Sequence, residues 1–232
     1  ITKYIMSAIH DLTNRSFIDI GANIGYFSML VAKNNPKCQV YSYEPTPLIF
    51  EQLEKNIELN KVRNAVTAKT AISDREGTLD LFAGHPMNTG STGIFKNNKT
   101  SEAFTVNSTL LHKEIGALVF PPRIIKIDTE GSEYKILSCL DLLIKLLPED
   151  VEFIVEINPE LIGIKKANSI INNFKYLNFN SFAINNSYEM EFYLHDKDCS
   201  ILELEMPLKT QLDVLFTRKS AGKLYDQITQ KA

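Results

Sequence analysis

Hydrophobic and polar positions along the chain switch between two periods. Short runs rich in β-formers stand at 16–20, 39–43, 65–72, 123–127, 152–157, 179–184 and 213–217, and 78–82 alternates as a short extra strand. Between them, apolar residues recur at helical spacing. Ile24, Phe27, Leu30 and Val31 mark a helix over 24–34, and Ile49, Leu53 and Ile57 mark another from 47 to about 60. Thr46 offers that second helix an N-cap oxygen and Pro47 fits its first position. Further helices are predicted over 133–147 and 167–177, whereas 84–122 is dense in Gly, Asn, Ser, Thr and Pro and reads as irregular. Strand–helix alternation of this kind predicts an α/β fold, a mostly parallel sheet with helices on both faces. Ligands of such sheets bind beyond the carboxyl ends of the strands. The residues that end each strand are therefore the candidates for function.

Composition narrows the classes. Hydrophobic residues are 44% and charged residues 23% of 232, the balance of a folded domain rather than a disordered chain. A net charge of −3 supplies no basic field for nucleic-acid phosphates. The longest apolar stretch, 136–147, contains Asp141 and Lys145 and is shorter than the ~20 residues a membrane span needs. No membrane partner is expected. Cys38, Cys139 and Cys199 form no C-x-x-C pair, which fits a reducing, cytoplasmic compartment. The chain opens on Ile1 with no signal pattern, as in a domain cut from a longer polypeptide with neighbouring domains as partners. The strands and helices nearly use up the length, so one domain over 1–232 is expected. Residues 84–122 would then be an insertion covering the substrate, with the hydroxyl-rich run 88–93 over the pocket.

The end of the first strand reads Asp19-Ile20-Gly21-Ala22-Asn23-Ile24-Gly25. Gly21 permits close approach of a ligand to the backbone, and Gly25 lets the following helix pack on the strand. A nicotinamide-type G-x-G-x-x-G is absent, since Asn23 and Tyr26 stand where glycines are needed. An acid two positions before the first Gly suits a cationic amine better than a pyrophosphate. Glu44 ends the second strand about twenty residues later, where an acid can accept both hydroxyls of a ribose. The ligand so described has a ribose, an amine and a carboxylate and needs no phosphate. S-adenosylmethionine fits.

These residues, with Tyr43-Glu44-Pro45, Ala71-Ile72-Ser73-Asp74 and Lys126-Ile127-Asp128-Thr129-Glu130-Gly131-Ser132-Glu133, resemble the FkbM family of methyltransferases. The resemblance runs in order across roughly residues 15–160. It implies a class I methyltransferase, Rossmann-like three-layer sandwich with a seven-stranded, mostly parallel sheet. It further implies S-adenosylmethionine as donor and O-methylation of a sugar or small natural-product hydroxyl. Carried onto this chain, the cofactor contacts are Asp19, Gly21, Asn23, Gly25, Glu44, Pro45, Ile72, Ser73 and Asp128. One departure is local: the family's Thr-Leu-Asp run is Thr109-Leu110-Leu111 here.

An alcohol is a weak acid, so its methylation calls for a base or a metal. Asp128, Glu130 and Glu133 crowd the end of the fourth strand of the parallel set, and Glu156 ends the fifth. Asp128 is read as touching the cofactor amine or the acceptor, Glu130 as orienting the acceptor or acting as base, and Glu156 as a second base. If Glu130 and Glu133 share a first helical turn they share a face; Glu133 fits helix capping better. Oxygen-only groups suit Mg²⁺, but no His joins them and no metal ligand is assigned. His85 and His112 lie in the covering segment and read as surface residues. The rivals are a nicotinamide-dependent enzyme, disfavoured by Asn23, and a non-catalytic cofactor-binding module of a larger synthase. Asp128-Thr129-Glu130-Gly131 also lacks the (Asp/Asn)-Pro-Pro pattern of nucleic-acid amino methyltransferases.

Overall fold

The computed structural model describes residues 1–82, 103–184, 201–204 and 206–229. Its first half forms α1 (Thr2–Ser7), β1 (Ser16–Ile20), α2 (Tyr26–Asn34), β2 (Gln39–Tyr43), α3 (Pro47–Leu59), β3 (Ala65–Ala68), β4 (Ala71–Ser73) and β5 (Gly77–Phe82). Then come β6 (Ala103–Leu110), α4 (Leu111–Gly116), β7 (Pro122–Ile127), α5 (Glu133–Ile136), α6 (Leu140–Ile144) and β8 (Glu152–Ile157). The chain closes with α7 (Pro159–Ile162), α8 (Ile164–Tyr176), β9 (Asn180–Ile184), β10 (Ile201–Glu203), β11 (Leu212–Thr217) and α9 (Ala221–Thr229).

The main sheet has the order β10-β9-β11-β8-β7-β1-β2-β3. Neighbours from β8 to β3 are parallel, and β11, β9 and β10 add on antiparallel. Eight described strands thus stand where seven were expected; β10 is a three-residue edge on β9. The period of two sorts side chains cleanly. Ile18, Ile20, Ile125, Ile127, Phe153 and Val155 face one core with Leu140, Ile170 and Phe174 of the helices after β7 and β8. Phe17, Ile124, Ile154 and Leu215 face a second core with Tyr4, Ile5 and Val31 of α1 and α2. Strands buried on both faces read as nearly continuous apolar runs, which is why they were visible in the sequence.

Three expectations change. The single strand over 65–72 is two: β3 stays in the main sheet, while β4 joins a second sheet of order β4-β6-β5. Residues 103–116, expected to be irregular, hold β6 and α4. In β6, Val106 and Ser108 point inward while Thr105 and Asn107 are exposed, so a half-solvated strand carries the composition of a loop. The rest of the covering segment, including 88–93 and His85, lies outside the described residues. The helix over 133–147 is broken by a 3₁₀ turn at Leu137–Cys139. Among the described residues no helix is long and apolar enough to cross a membrane.

Candidate active site

A cavity of about 620 Å³ opens where β1, β2, β7 and β8 end. Gly21, Asn23, Glu44, Pro45 and Ile72 line one side and Asp128, Glu130 and Glu156 another, all singled out from sequence. Asp19, Gly25 and Ser73 are not in its lining.

On the first side, Glu44 is buried and holds two turns together. Its Oε2 accepts from the Asn23 N–H at 3.0 Å and its Oε1 from the Thr46 N–H at 2.9 Å. The Thr46 hydroxyl, expected to cap α3, makes no cap bond, and Glu44 instead takes the N–H of Thr46 itself. Burial pushes its carboxyl up, and the two backbone donors work against that. A carboxylate has about four lone-pair directions, and with the Thr46 side chain also bonded to Glu44 about one remains for a ligand. Gly21 sits at φ 76°, and a Cβ there would lie 1.8 Å from the Asp128 carbonyl oxygen. The close approach it permits is thus between two strand ends. Gly25, at φ 90°, lets α2 close on Leu53 of α3 (2.5 Å from a built Cβ) rather than on the strand. The turn delays the start of α2 to Tyr26 and leaves Ile24 exposed.

Asp19 lies beneath the cavity. Its Oδ2 accepts from Ser28 Oγ at 2.6 Å, which in turn accepts from Ser42 Oγ at 2.8 Å. Its Oδ1 stands 4.0 Å from Lys126 Nζ, and Lys126 donates to Asp128 Oδ2 at 2.8 Å. Burial raises the Asp19 carboxyl and Lys126 opposes that; Lys126 itself is pushed up by Asp128 and Asp19 against its own desolvation. Lys126 was not singled out from sequence. The available signal was a lysine inside Ile124-Ile125-Lys126-Ile127, since a cation buried in a strand requires acids. The β1–β7 register puts Asp19 opposite it.

On the other side, carboxylate oxygens of Asp128, Glu130 and Glu156 all lie within 4.8 Å of one another. Glu130 does not share a helical turn with Glu133. It stands in the left-handed region at φ 52°, ahead of α5. Burial, then Asp128 and Glu133, push its carboxyl up to about 7. Glu156 goes up to about 8, by burial and then by Asp128, although Gln211 Nε2 donates to its Oε1 at 2.7 Å. Glu133 turns away from the cavity lining, where its Oε1 accepts from the N–H groups of Thr129 and Gly131 and from Thr129 Oγ1. It shapes the turn that presents Glu130. Acids clustered in this way are not by themselves a metal site, and none is assigned. Gln211 was missed, because nothing in a loop glutamine marks it before the fold sets β11 beside β8. His112 is half-buried on α4, outside the cavity lining. Leu111, in place of the family's acid, is buried in the core, and Thr109 donates instead to Glu114 at 3.0 Å.

A family model described as the methyltransferase FkbM domain matches residues 19–159. "Methyltransferase sdnD" of Sordaria araneosa is 33% identical over 94 residues, covering 39% of this chain and 36% of that protein. "Methyltransferase 1" of Beauveria bassiana is 23% identical over 144 residues, covering 53% and 57%. The chain therefore spans between about a third and just over half of these curated relatives. In fold it is similar to the precorrin-6y C5,15-methyltransferase of Geobacter metallireducens, with TM-score 0.53 and 11% identity over 94% of this chain and 87% of that one.

Proposed function

Given that the chain belongs to the FkbM methyltransferase domain family, we propose that it methylates a hydroxyl of a sugar or small natural product, with Glu156 as base. S-adenosylmethionine is the cofactor. The residues present fit it. Glu44 keeps a spare lone pair at the ribose position, Pro45 and Ile72 supply apolar walls for a base, and Asp128 supplies an anion for the amine. When bound, this cofactor supplies a sulfonium methyl group with a neutral thioether as leaving group.

The chain's own part is to hold the hydroxyl, keep water out and take a proton. Lys126 fixes one oxygen of Asp128. Glu130, on its strained turn, orients the acceptor. Glu156 receives the hydroxyl proton, because it lines the cavity beside Asp128 and Glu130 and its carboxyl, raised to about 8, changes charge near neutral pH. A base poised near the working pH is the efficient kind. The observation that carries this reading is the convergence of the three carboxylates within 4.8 Å. The net charge of −3 and the acid-lined cavity favour a small hydroxylated acceptor over nucleic acid.

Calorimetry with S-adenosylhomocysteine and with NAD tests the cofactor, and a panel of hydroxylated acceptors tests turnover. Binding of S-adenosylhomocysteine together with O-methyl products is expected. Binding of NAD alone would overturn the reading, and binding without turnover on any acceptor would make this a non-catalytic module.

A further inference from the structure

Glu156 is held by a side chain that is itself held. Gln211 Nε2 donates to Glu156 Oε1 at 2.7 Å, and Gln211 Oε1 accepts from Asn158 Nδ2 at 3.0 Å. Asn158 Oδ1 in turn accepts from the backbone N–H of Glu160 at 3.0 Å, as the N-cap of α7. A backbone N–H can only donate, so it fixes which end of the Asn158 amide faces it. That fixes the Gln211 amide, and that in turn fixes what Glu156 meets. The antiparallel β11–β8 register sets Asp213 opposite Glu156, and Gln211, two residues earlier, shares its face.

We propose that Asn158 and Gln211 form a one-way amide relay that keeps Glu156 Oε1 as an acceptor and so leaves Oε2 to take the acceptor hydroxyl's proton. The inference rests on the methyltransferase reading for its purpose but not for its geometry. Gln211 is a positioning residue in this scheme. It selects the oxygen and restrains the base from becoming too strong, since a donor to a carboxylate favours the ionised form. The groups that face Glu156 are Asp128, just past the end of β7, Glu130 of the turn that follows and Asp213 of β11, with Lys126 behind Asp128. None of these is altered by a change at Asn158 or Gln211.

Asn158→Asp reverses the first link. Asp caps a helix as well as Asn does, so α7 is retained while the Nδ2 donor becomes an acceptor. Gln211 must then turn its N–H₂ toward residue 158 and its oxygen toward Glu156. Gln211→Leu removes the donor outright, and Asn158→Ser keeps a cap oxygen without adding charge. The readout is a carboxyl ¹³C NMR titration of Glu156, assigned by the loss of its resonance in Glu156→Gln. Gln211→Leu is expected to raise its midpoint by about one to two units, the size of a hydrogen bond to a charged group, and Asn158→Asp by more, since its new carboxylate adds repulsion. Asn158→Ser should raise it by less. Asn158→Asp adds a charge that raises the midpoint by itself, so Asn158→Ser is the control: midpoints unmoved in both Gln211→Leu and Asn158→Ser overturn the relay, and if Gln211→Leu does not fold, Asn158→Ser decides alone. Calorimetry with S-adenosylhomocysteine on the same samples separates the two failures. An unaltered chain that does not bind it sinks the functional reading and leaves the titration to judge the relay. Binding with unmoved midpoints sinks the relay alone.

Discussion

Strand β8 carries two glutamates, Glu152 and Glu156, on the same face with Ile154 between them. Both are buried, at 1% and 7% exposure. Their surroundings are opposite. Glu152, at the amino end, accepts from Tyr4 Oη at 2.6 Å and Thr217 Oγ1 at 2.8 Å. Arg123 Nη1 at 2.8 Å and Lys219 Nζ at 3.1 Å complete its shell. Burial works against its ionisation, yet the two cations hold its carboxyl below the ordinary range. Glu156, at the carboxyl end, has one neutral donor and faces Asp128, Glu130 and Asp213, and it is pushed up to about 8. One residue type, on one strand and at similar depth, is held ionised at one end and kept proton-binding at the other. Burial raises both, and the sign of the neighbouring charges decides the difference. The amino end ties α1 and β11 together, whereas at the carboxyl end Glu156 meets three acids and one neutral donor, the surroundings that the proposed base needs.

The comparison breaks if the two glutamates behave alike on substitution. The largest effect is expected on rate. Glu156→Gln should lower turnover of a hydroxylated acceptor by about 10²–10⁴-fold, the usual contribution of a general base, while S-adenosylhomocysteine still binds by calorimetry. Glu152→Gln should spare turnover per folded molecule and instead cost about 3 kcal/mol of stability, since it takes from buried Arg123 its nearest counter-charge and leaves it only Asp11 and Asp150, at 3.7 and 3.6 Å. Denaturant unfolding reads that loss. A Glu152 variant that loses rate but not stability would show that the amino-end network is not the anchor inferred here.

pH sharpens the contrast, with opposite signs. Because the Glu156 carboxyl is raised, its folded form binds the proton more tightly than the unfolded chain does. Its share of stability is whole below the ordinary carboxylate value of 4.5 and is lost as pH rises through about 8. The lowered Glu152 does the reverse, stabilising above 4.5 and losing that share as pH falls through its folded value. Glu156→Gln should therefore stabilise the fold above about pH 8, on the order of a few kcal/mol, and by little near pH 5. The rate should rise with pH toward a limb near 8, since the base must be ionised to act. A rate that falls over that range would assign the proton-accepting role elsewhere.

How far the sequence carried this contrast depends on which groups need a partner to be recognised. The ends of β1, β2, β7 and β8 were legible, because strands buried on both faces leave apolar runs that stop at an acid or a glycine. Glu44, Asp128, Glu130 and Glu156 therefore came out of the pattern and line one cavity. Asp19 came out too, but its place beneath the cavity depends on the parallel register that sets it against Lys126. Gln211 and Asn158 were invisible, since an amide relay exists only once β11 lies beside β8. The departure of β4 into the second sheet was hidden for the same reason. Residues 65–72 carry the right propensity for a strand, and only the partner, β6 rather than β2, divides them. The anchor around Glu152 joins residues as distant as Tyr4 and Thr217, and local spacing says nothing of such pairs.

The smallest effect probes that anchor from its neutral side. Tyr4 is fully buried and gives Glu152 its shortest hydrogen bond, 2.6 Å. Tyr4→Phe keeps the ring in the core with Phe17 and Leu12 and removes only the hydroxyl. With Arg123, Lys219 and Thr217 still in place, the carboxylate stays ionised but loses one charge-assisted donor, a loss of about 1.5 kcal/mol. Unfolding at neutral pH should show that loss, and it should shrink as acid protonates Glu152 in both proteins. Acceptor turnover should not change, because the hydroxyl stands at the amino end of a strand whose proposed base is at the other. A Tyr4→Phe loss as large as that of Glu152→Gln would mean that the hydroxyl, rather than the two cations, holds Glu152 ionised. The account of why the two glutamates differ would then have to be rebuilt on hydrogen bonds instead of charge.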